Sequence, residues 1–486
     1  FGPLARGLFF EADLFPALFT LAGALALLAL DAWNRRSTWW TGWTLADAAV
    51  VALAVLYAAA FVPAADRREA LVGALCMTAY AGAYVLAARY ALRPWGLRRL
   101  AGCVFWTGVA VAVVGWLSVA GLFEFPGAFG GGRLMSTLQY PNALAGLMVV
   151  TLAVGAALWL QAGGVARAVY AAGHALCLVT LLATYSRGGW VVYALVTVLL
   201  IAFAPEGRWW AMFGRHAMSA TAASLMGAQL LPLPADGGLR VLLVLVAGCG
   251  ALGVVNLFLE WLNAWLDRRI EHPLTAVILR TAAVVYTVLL GLWIGSYYAT
   301  AGPAASAVLV PVAVSDRFAS IAPTTPSFEQ RVEATRDAWK LIAARPWLGA
   351  GAGGWNALYH QVQNTPYWTT EVHNHLLQVG VETGLPGLAA FLLLWLGVAV
   401  HVIRSLQRYE GDQALLVWGT AMGLFGLLIH ATWDFDLSYP GLALWAWTLA
   451  GALRGVDVRE ASPGPWLRTL ARPVTLLLVT AALAYP

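Results

Sequence analysis

Apolar runs long enough to cross a lipid bilayer recur along this chain from end to end, near residues 14–32, 43–62, 70–90, 100–121, 140–160, 166–184, 187–204, 209–231, 239–261, 274–297, 380–405, 413–432, 437–454 and 467–485. In lipid a backbone must satisfy its own polar groups, so a spanning segment is a helix or part of a closed barrel. Runs this long and without strand alternation are helices. The chain therefore reads as an all-α, polytopic integral membrane protein with about 12–14 transmembrane helices, the close pair around Ser186 being either two spans or a re-entrant turn. Of its 486 residues, 61% are hydrophobic and 11% charged, against about a quarter charged in a soluble domain, which excludes an ordinary soluble globule.

Charge placement orients the spans. Lys+Arg 29 against Asp+Glu 24 gives +5, and the single lysine is Lys340. Arg35/Arg36, Arg93/Arg98/Arg99, Arg167, Arg208/Arg215, Arg268/Arg269, Arg404/Arg408 and Arg454/Arg459/Arg468 fall in every second connection, which the positive-inside rule places in the cytoplasm. The complementary connections, about 63–69, 122–139, 185–188, 232–238, 298–372 and 433–440, then face outward. The expected organisation is N-terminal helices over 1–297, one large extracytoplasmic loop over 298–372 and C-terminal helices over 373–486, all in one membrane domain. This parity puts Phe1 outside without a basic leader, which leaves room for one further helix ahead of it. Cys76, Cys103, Cys177 and Cys249 sit in apolar runs with no paired spacing, which argues against zinc, redox or disulfide roles.

The long loop changes character. Ser327 and Gln330 have the spacing of a capping box, and Val332, Trp339 and Ile342 supply an apolar stripe, so 328–344 is expected to be an amphipathic helix ended by Pro346. Arg331, Arg336, Lys340 and Arg345 make it cationic on the outer side, where it either invites an anionic ligand or pairs with Glu329, Glu333 and Asp337. Gly349 to Gly354 reads as a tight turn and packing site, because no strand precedes it and no Lys-Ser/Thr follows. His373, at the membrane boundary, has the ordinary imidazole range that suits proton abstraction near neutral pH. His373 and His375, two apart, do not share a helical face, which disfavours a two-histidine metal site.

Arg187, in Thr184-Tyr-Ser-Arg-Gly-Gly-Trp190, is an ionisable residue at membrane depth, and such a residue is functional unless it snorkels to the interface. Arg133 and Asn142 place polar groups at an outer helix entrance. Asp434 and Asp436 form an Asp-x-Asp on the outer face, a pattern that holds a divalent cation, caps a turn or pairs with an arginine.

Taken in order, Tyr140-Pro141-Asn142-x-Leu144-Ala145-Gly146, Ser186-Arg187-Gly188, Arg331 with Trp339 and Pro346-Trp-Leu-Gly349-x-Gly351, and His373-Asn374-x-x-Leu377-Gln378 with Glu382-x-Gly384 and Pro386-Gly387 resemble the O-antigen ligase/O-antigen polymerase superfamily over roughly residues 100–450. The resemblance implies a GT-C-like glycosyltransferase that moves a glycan from a polyprenyl (undecaprenyl) diphosphate carrier to an acceptor hydroxyl, at a site facing the periplasm from the bacterial inner membrane. It implies Arg187, Arg331 and His373 as catalytic, with Arg336, His375, Asn374, Arg133, Asn142 and Asp434 binding substrate.

Guanidinium forks suit a diphosphate, since bidentate charge-assisted bonds stabilise both the bound anion and the growing charge of the leaving group. No metal or cofactor is then expected. The partners implied are the lipid-linked glycan donor, a lipid, glycan or protein acceptor and membrane lipids, with no nucleic acid. The count of about fourteen spans exceeds the dozen of a simple ligase, and no dedicated lipid A module is recognisable. Two other readings stay open: a lipid-linked glycan flippase using the same arginines, and a metal-dependent GT-C transferase built on Asp434 and Asp436.

Overall fold

The computed structural model describes residues 2–34, 42–231, 233, 238–269, 285, 289 and 326–458. The expected spans at 274–297 (apart from Val285 and Leu289) and 467–485, most of 232–238, the loop segment 298–325, and Arg35, Arg36, Arg459 and Arg468 lie outside the described residues. The other twelve expected spans are all helices: α1 (Glu11–Asn34), α2 (Leu45–Ala59), α3 (Arg67–Ala91), α4 (Gly96–Val119), α5 (Pro141–Gln161), α6 (Gly164–Ala183), α7 (Arg187–Ala202), α8 (Trp209–Leu230), α9 (Gly238–Arg269) and, after α10 (Pro326–Ala344) and α11 (Gly354–Leu358), α12 (His375–Arg408), α13 (Gly411–His430) and α14 (Pro440–Asp457). Among the described residues, eight of these are long and apolar enough to cross a membrane, while α2 and α7 are apolar but shorter. The chain is thus an all-α, multi-pass membrane protein. Among the described residues, the one strand pair is a hairpin of two-residue strands, Phe129–Gly130 and Arg133–Leu134.

Two compact units divide the chain. The first comprises residues 1–100, 323–409 and 428–486, the second 101–322 and 410–427. In the first, α3 packs along α14 and α2 along α12. Gly451 and Gly455, four apart on α14, lie against the backbone of α3, so that an added Cβ would overlap the carbonyl oxygens of Tyr84 and Ala88. Small residues at this spacing let two membrane helices approach backbone to backbone, where dispersion rather than water exclusion holds them.

Between these helices lies a buried polar network. The Arg454 Nη2 and Nε donate to Asp47 at 3.0 and 3.1 Å, and Tyr84 Oη donates to the same carboxylate at 2.9 Å. Asp47 also closes the capping box of α2 by accepting from Thr44 N. A buried cation and anion in such close register are tolerated because each is hydrogen-bonded on several sides.

The amphipathic helix expected in the loop over 328–344 is α10, opening two residues early at Pro326. Its buried stripe is Ala334, Ala338, Leu341 and Ile342, packed against Trp355, Tyr359, Val372, Leu377 and Val381. Trp339, assigned above to that stripe, is exposed instead. Two small alanines let α10 sit close to its neighbours, and the indole is turned outward.

The second unit is built around α5, whose residues are buried almost throughout. Neighbouring helices reach it through glycines: Gly108 of α4 faces Thr151, and Gly419 and Gly423 of α13 face Ala157 and Val150. Trp116 Nε1 donates to Thr180 at 2.9 Å and Trp159 Nε1 to Asn256 at 3.1 Å, satisfying indoles that would otherwise be orphaned in the interior.

The glycine contact has a signed consequence. Gly→Ala in an open helix position stabilises by up to about 1 kcal/mol, whereas overpacking costs about 1–3 kcal/mol. Gly250→Ala, where nothing lies within 4 Å of the new methyl, should raise or preserve the melting temperature of the detergent-solubilised protein, and Gly455→Ala should lower it. Equal shifts for the two variants would contradict this packing.

Candidate active site

Within the first unit, the residues singled out at 331, 373–375 and 434 are brought together by α10, the strap leading into α12 and the turn between α13 and α14. The strap is pinned on both sides. Asn374 is the N-cap of α12, its side chain accepting from Leu377 N. Val372 N donates to Gln378 Oε1 at 2.8 Å, and His375 N donates to the Ala431 carbonyl at 2.8 Å. Gln378 in turn donates to Glu382 Oε1 at 2.8 Å, and Tyr57 Oη donates to Glu382 Oε2 at 2.7 Å. A chain of hydrogen bonds thus runs from α2 through Glu382 and Gln378 to the backbone beside His373.

The His373 ring stands edge-on to Phe435, centroids 5.0 Å apart, with Nδ1 3.5 Å from Thr369 Oγ1. Burial pulls its pKa below the ordinary imidazole range; Asp434 pulls it back and Arg331 adds to the fall. His373 is therefore neutral at pH 7, with a ring nitrogen able to accept a proton.

Arg331 bridges from α10 to the turn, its Nη2 donating to Asp434 Oδ2 at 2.9 Å. The arginine side chain is 26% exposed and the aspartate 3%, so the cation keeps an accessible edge while its counter-ion is sequestered. Asp434 Oδ1 also accepts from Phe435 N at 3.0 Å. Asp436 turns elsewhere: its Oδ2 lies 2.6 Å from His430 Nδ1, both buried. The two carboxylates of the Asp-x-Asp thus engage different side chains, Arg331 and His430.

Four further charges of α10 pair along its own length. Arg336 joins Glu333 at 2.5 Å, and Lys340 joins Asp337 at 2.7 Å. Tyr367 Oη donates to the other oxygen of Asp337 at 2.7 Å. His375 begins α12, its ring edge-on to Phe391 rather than to Phe435.

In the second unit, Arg133 ties together Asn142 and the turn that carries Arg187. Its Nη2 donates to Asn142 Oδ1 at 2.9 Å and its Nε to the Thr184 carbonyl at 2.8 Å. Arg187 is the first residue of α7, behind Ser186, whose hydroxyl caps the helix by accepting from Gly189 N. Tyr185, with φ 49°, makes the sharp turn between α6 and α7.

Glu371 went unnoticed in the sequence as a site residue, although it stands two positions before His373. Burial pushes its carboxyl up to about 8, the Glu382 carboxylate adds to the rise, and a hydrogen bond from Ser438 Oγ at 3.2 Å opposes it. The Tyr57–Glu382 contact was invisible too, because its partners are far apart in the chain.

The raised Glu371 pKa implies that the folded protein keeps a proton the unfolded chain loses, so stability falls as pH rises from about 4.5 to about 8. Glu371→Gln removes that loss. Its melting temperature should exceed wild type by a margin that widens from pH 5 to pH 8.5, and parallel pH curves for the two proteins would contradict the buried, protonated carboxyl.

Against known proteins, the family described as O-antigen ligase matches residues 172–392, from within α6 to within α12. No curated protein matches the chain. The matched stretch contains Arg187, Arg331, Arg336 and His373 to His375; Arg133, Asn142 and Asp434 lie outside it. Residues 172–392 of this chain belong to the O-antigen ligase family.

Proposed function

We propose that this protein is a glycosyltransferase of the O-antigen ligase or polysaccharide polymerase type, taking a glycan from a polyprenyl diphosphate carrier to an acceptor hydroxyl on the outer face of the cytoplasmic membrane. The observation that carries this reading is the pairing of a neutral, half-buried histidine with a partly exposed arginine whose counter-ion is buried behind it. A base and an anion site side by side are what transfer from a lipid diphosphate needs.

In the proposed step the acceptor oxygen attacks the anomeric carbon, the bond from that carbon to the diphosphate oxygen breaks, and the acceptor proton passes to His373. The electron pair leaves with the polyprenyl diphosphate, whose growing charge is met by the Arg331 guanidinium. A single displacement of this kind inverts the anomeric centre. Arg187 is assigned to diphosphate binding from its motif, and Arg133 and Asn142 to holding its turn. Asp434 holds Arg331 from the turn between α13 and α14. The reading needs no divalent cation, because the arginines supply the positive charge.

The test is transfer from a purified polyprenyl diphosphate oligosaccharide by detergent-solubilised protein. His373→Ala should lose about 100- to 10,000-fold in rate, as for a general base, Arg331→Ala should lose activity as well, and wild-type turnover should survive EDTA. Donor binding without any glycosylated acceptor would favour a flippase, and loss of turnover with EDTA alone would redirect attention to Asp434 and Asp436. Because burial depresses the His373 pKa, kcat should hold from pH 8 down to pH 7 and fall only below pH 6.5 as the imidazole is protonated. A fall already between pH 8 and pH 7 would contradict His373 as the base.

A further inference from the structure

A cavity of about 170 Å³ lies in the second unit between the starts of α6 and α8 and the end of α9, lined by Arg167, Trp210, Arg215, Leu259, Leu262 and Asn263 among others. This volume is several times the about 30 Å³ of one water. The helix ends around it carry Arg167, Arg208, Arg215 and Arg268, the side that charge bias assigns to the cytoplasm. It is therefore at the opposite end of these helices from the Arg133–Thr184 turn.

The arginines here are unequally satisfied. Arg208 forms an ion pair with Asp412 at 2.8 Å, and Arg167 lies 3.7 Å from Glu260 and donates to the Ala162 carbonyl. Arg215 Nη1 reaches only the Ala211 carbonyl, one turn back on its own helix, at 3.1 Å, and its guanidinium stands 5.9 Å from the Trp159 ring centroid. Its Nε is buried without a hydrogen-bond acceptor, and among the described residues no carboxylate pairs with it. The Arg215 Nε is shut away from water with its donor unmet while the Nη1 side stays exposed, and a polar cavity beside it is where the missing acceptor belongs.

We propose that this cavity binds a phosphate group, with Arg215 and Arg167 as its cationic donors. Arginine matches phosphate oxygens with a planar fork, and basic pockets between membrane helices on the cytoplasmic side accept lipid head groups. Leu259, Leu262 and Trp210 offer an apolar wall for the glycerol and acyl part of an anionic phospholipid; inorganic phosphate from the cytosol would satisfy the same donors. The site is independent of the glycan-transfer reading, since none of its residues belongs to that machinery.

The test uses the full chain in detergent, stripped of lipid, with the thermal midpoint and native mass spectrometry as readouts. One arm adds phosphatidylglycerol or phosphatidylcholine, the other inorganic phosphate against chloride at matched ionic strength. We expect phosphatidylglycerol to bind at least tenfold more tightly than phosphatidylcholine, and Arg215→Gln and Arg167→Gln each to remove that preference. Arg404→Gln, an exposed arginine on another helix, should leave it intact. A response to inorganic phosphate alone, lost in the same variants, supports the site with the free anion as its ligand. If Arg215→Gln does not fold, Arg167→Gln carries the comparison. Equal retention of both lipids by all variants together with no response to phosphate overturns the proposal.

Discussion

Pro386 has no N–H to give to the Glu382 carbonyl four residues earlier, and Gly384 (φ 72°, ψ −171°) leaves the helical region altogether, so α12 is broken inside its apolar length. A break at such a depth strands backbone groups that lipid cannot satisfy. The glycine-rich loop after α10 satisfies them. Ala350 N donates to the Val381 carbonyl at 2.8 Å, Gly351 N to the Glu382 carbonyl at 3.0 Å, and Leu385 N to the Pro346 carbonyl at 2.8 Å. Gly349 (φ 66°) must be glycine, since a Cβ there would overlap the Glu382 backbone. Exchanging three hydrogen bonds, the loop and the broken helix fix one another. The position of α10, and with it Arg331, follows from that exchange.

The same break sets the electrostatics of the strap. Glu382 lies on the short N-terminal segment of α12, where Tyr57 and Gln378 hold its carboxylate. Gln378 passes the constraint to Val372 N, and Asn374 closes the turn. His373 is thus presented from a strap with little freedom, and its neutral state comes from burial that the surrounding packing enforces. Arg331 answers with the opposite design: its counter-ion is buried while its own side chain keeps an open edge.

Local patterns made much of this legible. Span after span was recognisable because lipid demands long apolar helices, and α10 because Ser327 and Gln330 have capping-box spacing and Val332, Trp339 and Ile342 form an apolar stripe. Pro346 announced the end of α10 and the Gly349–Gly354 run a turn, whereas Asn374, named only as a binding residue, proved to be the N-cap of α12. What could not be read were contacts between distant segments. The acceptance of Arg331 by Asp434 joins residues 103 apart, and the Tyr57–Glu382 bond joins residues 325 apart. Trp339 was misassigned because a large aromatic outweighs alanine in any apolar stripe, although the alanines make the close contact. Arg336 and Lys340 carry charge but spend it on their own helix.

The central claim is that a glycan leaves a lipid diphosphate against Arg331 as an acceptor hydroxyl takes its place. The most direct measurement is the identity and amount of the lipid product formed when purified protein glycosylates an acceptor, read by mass spectrometry. The account predicts polyprenyl diphosphate, one molecule for each glycan transferred, with the new bond inverted relative to the donor. Release of a monophosphate, or transfer with retained configuration, would contradict it.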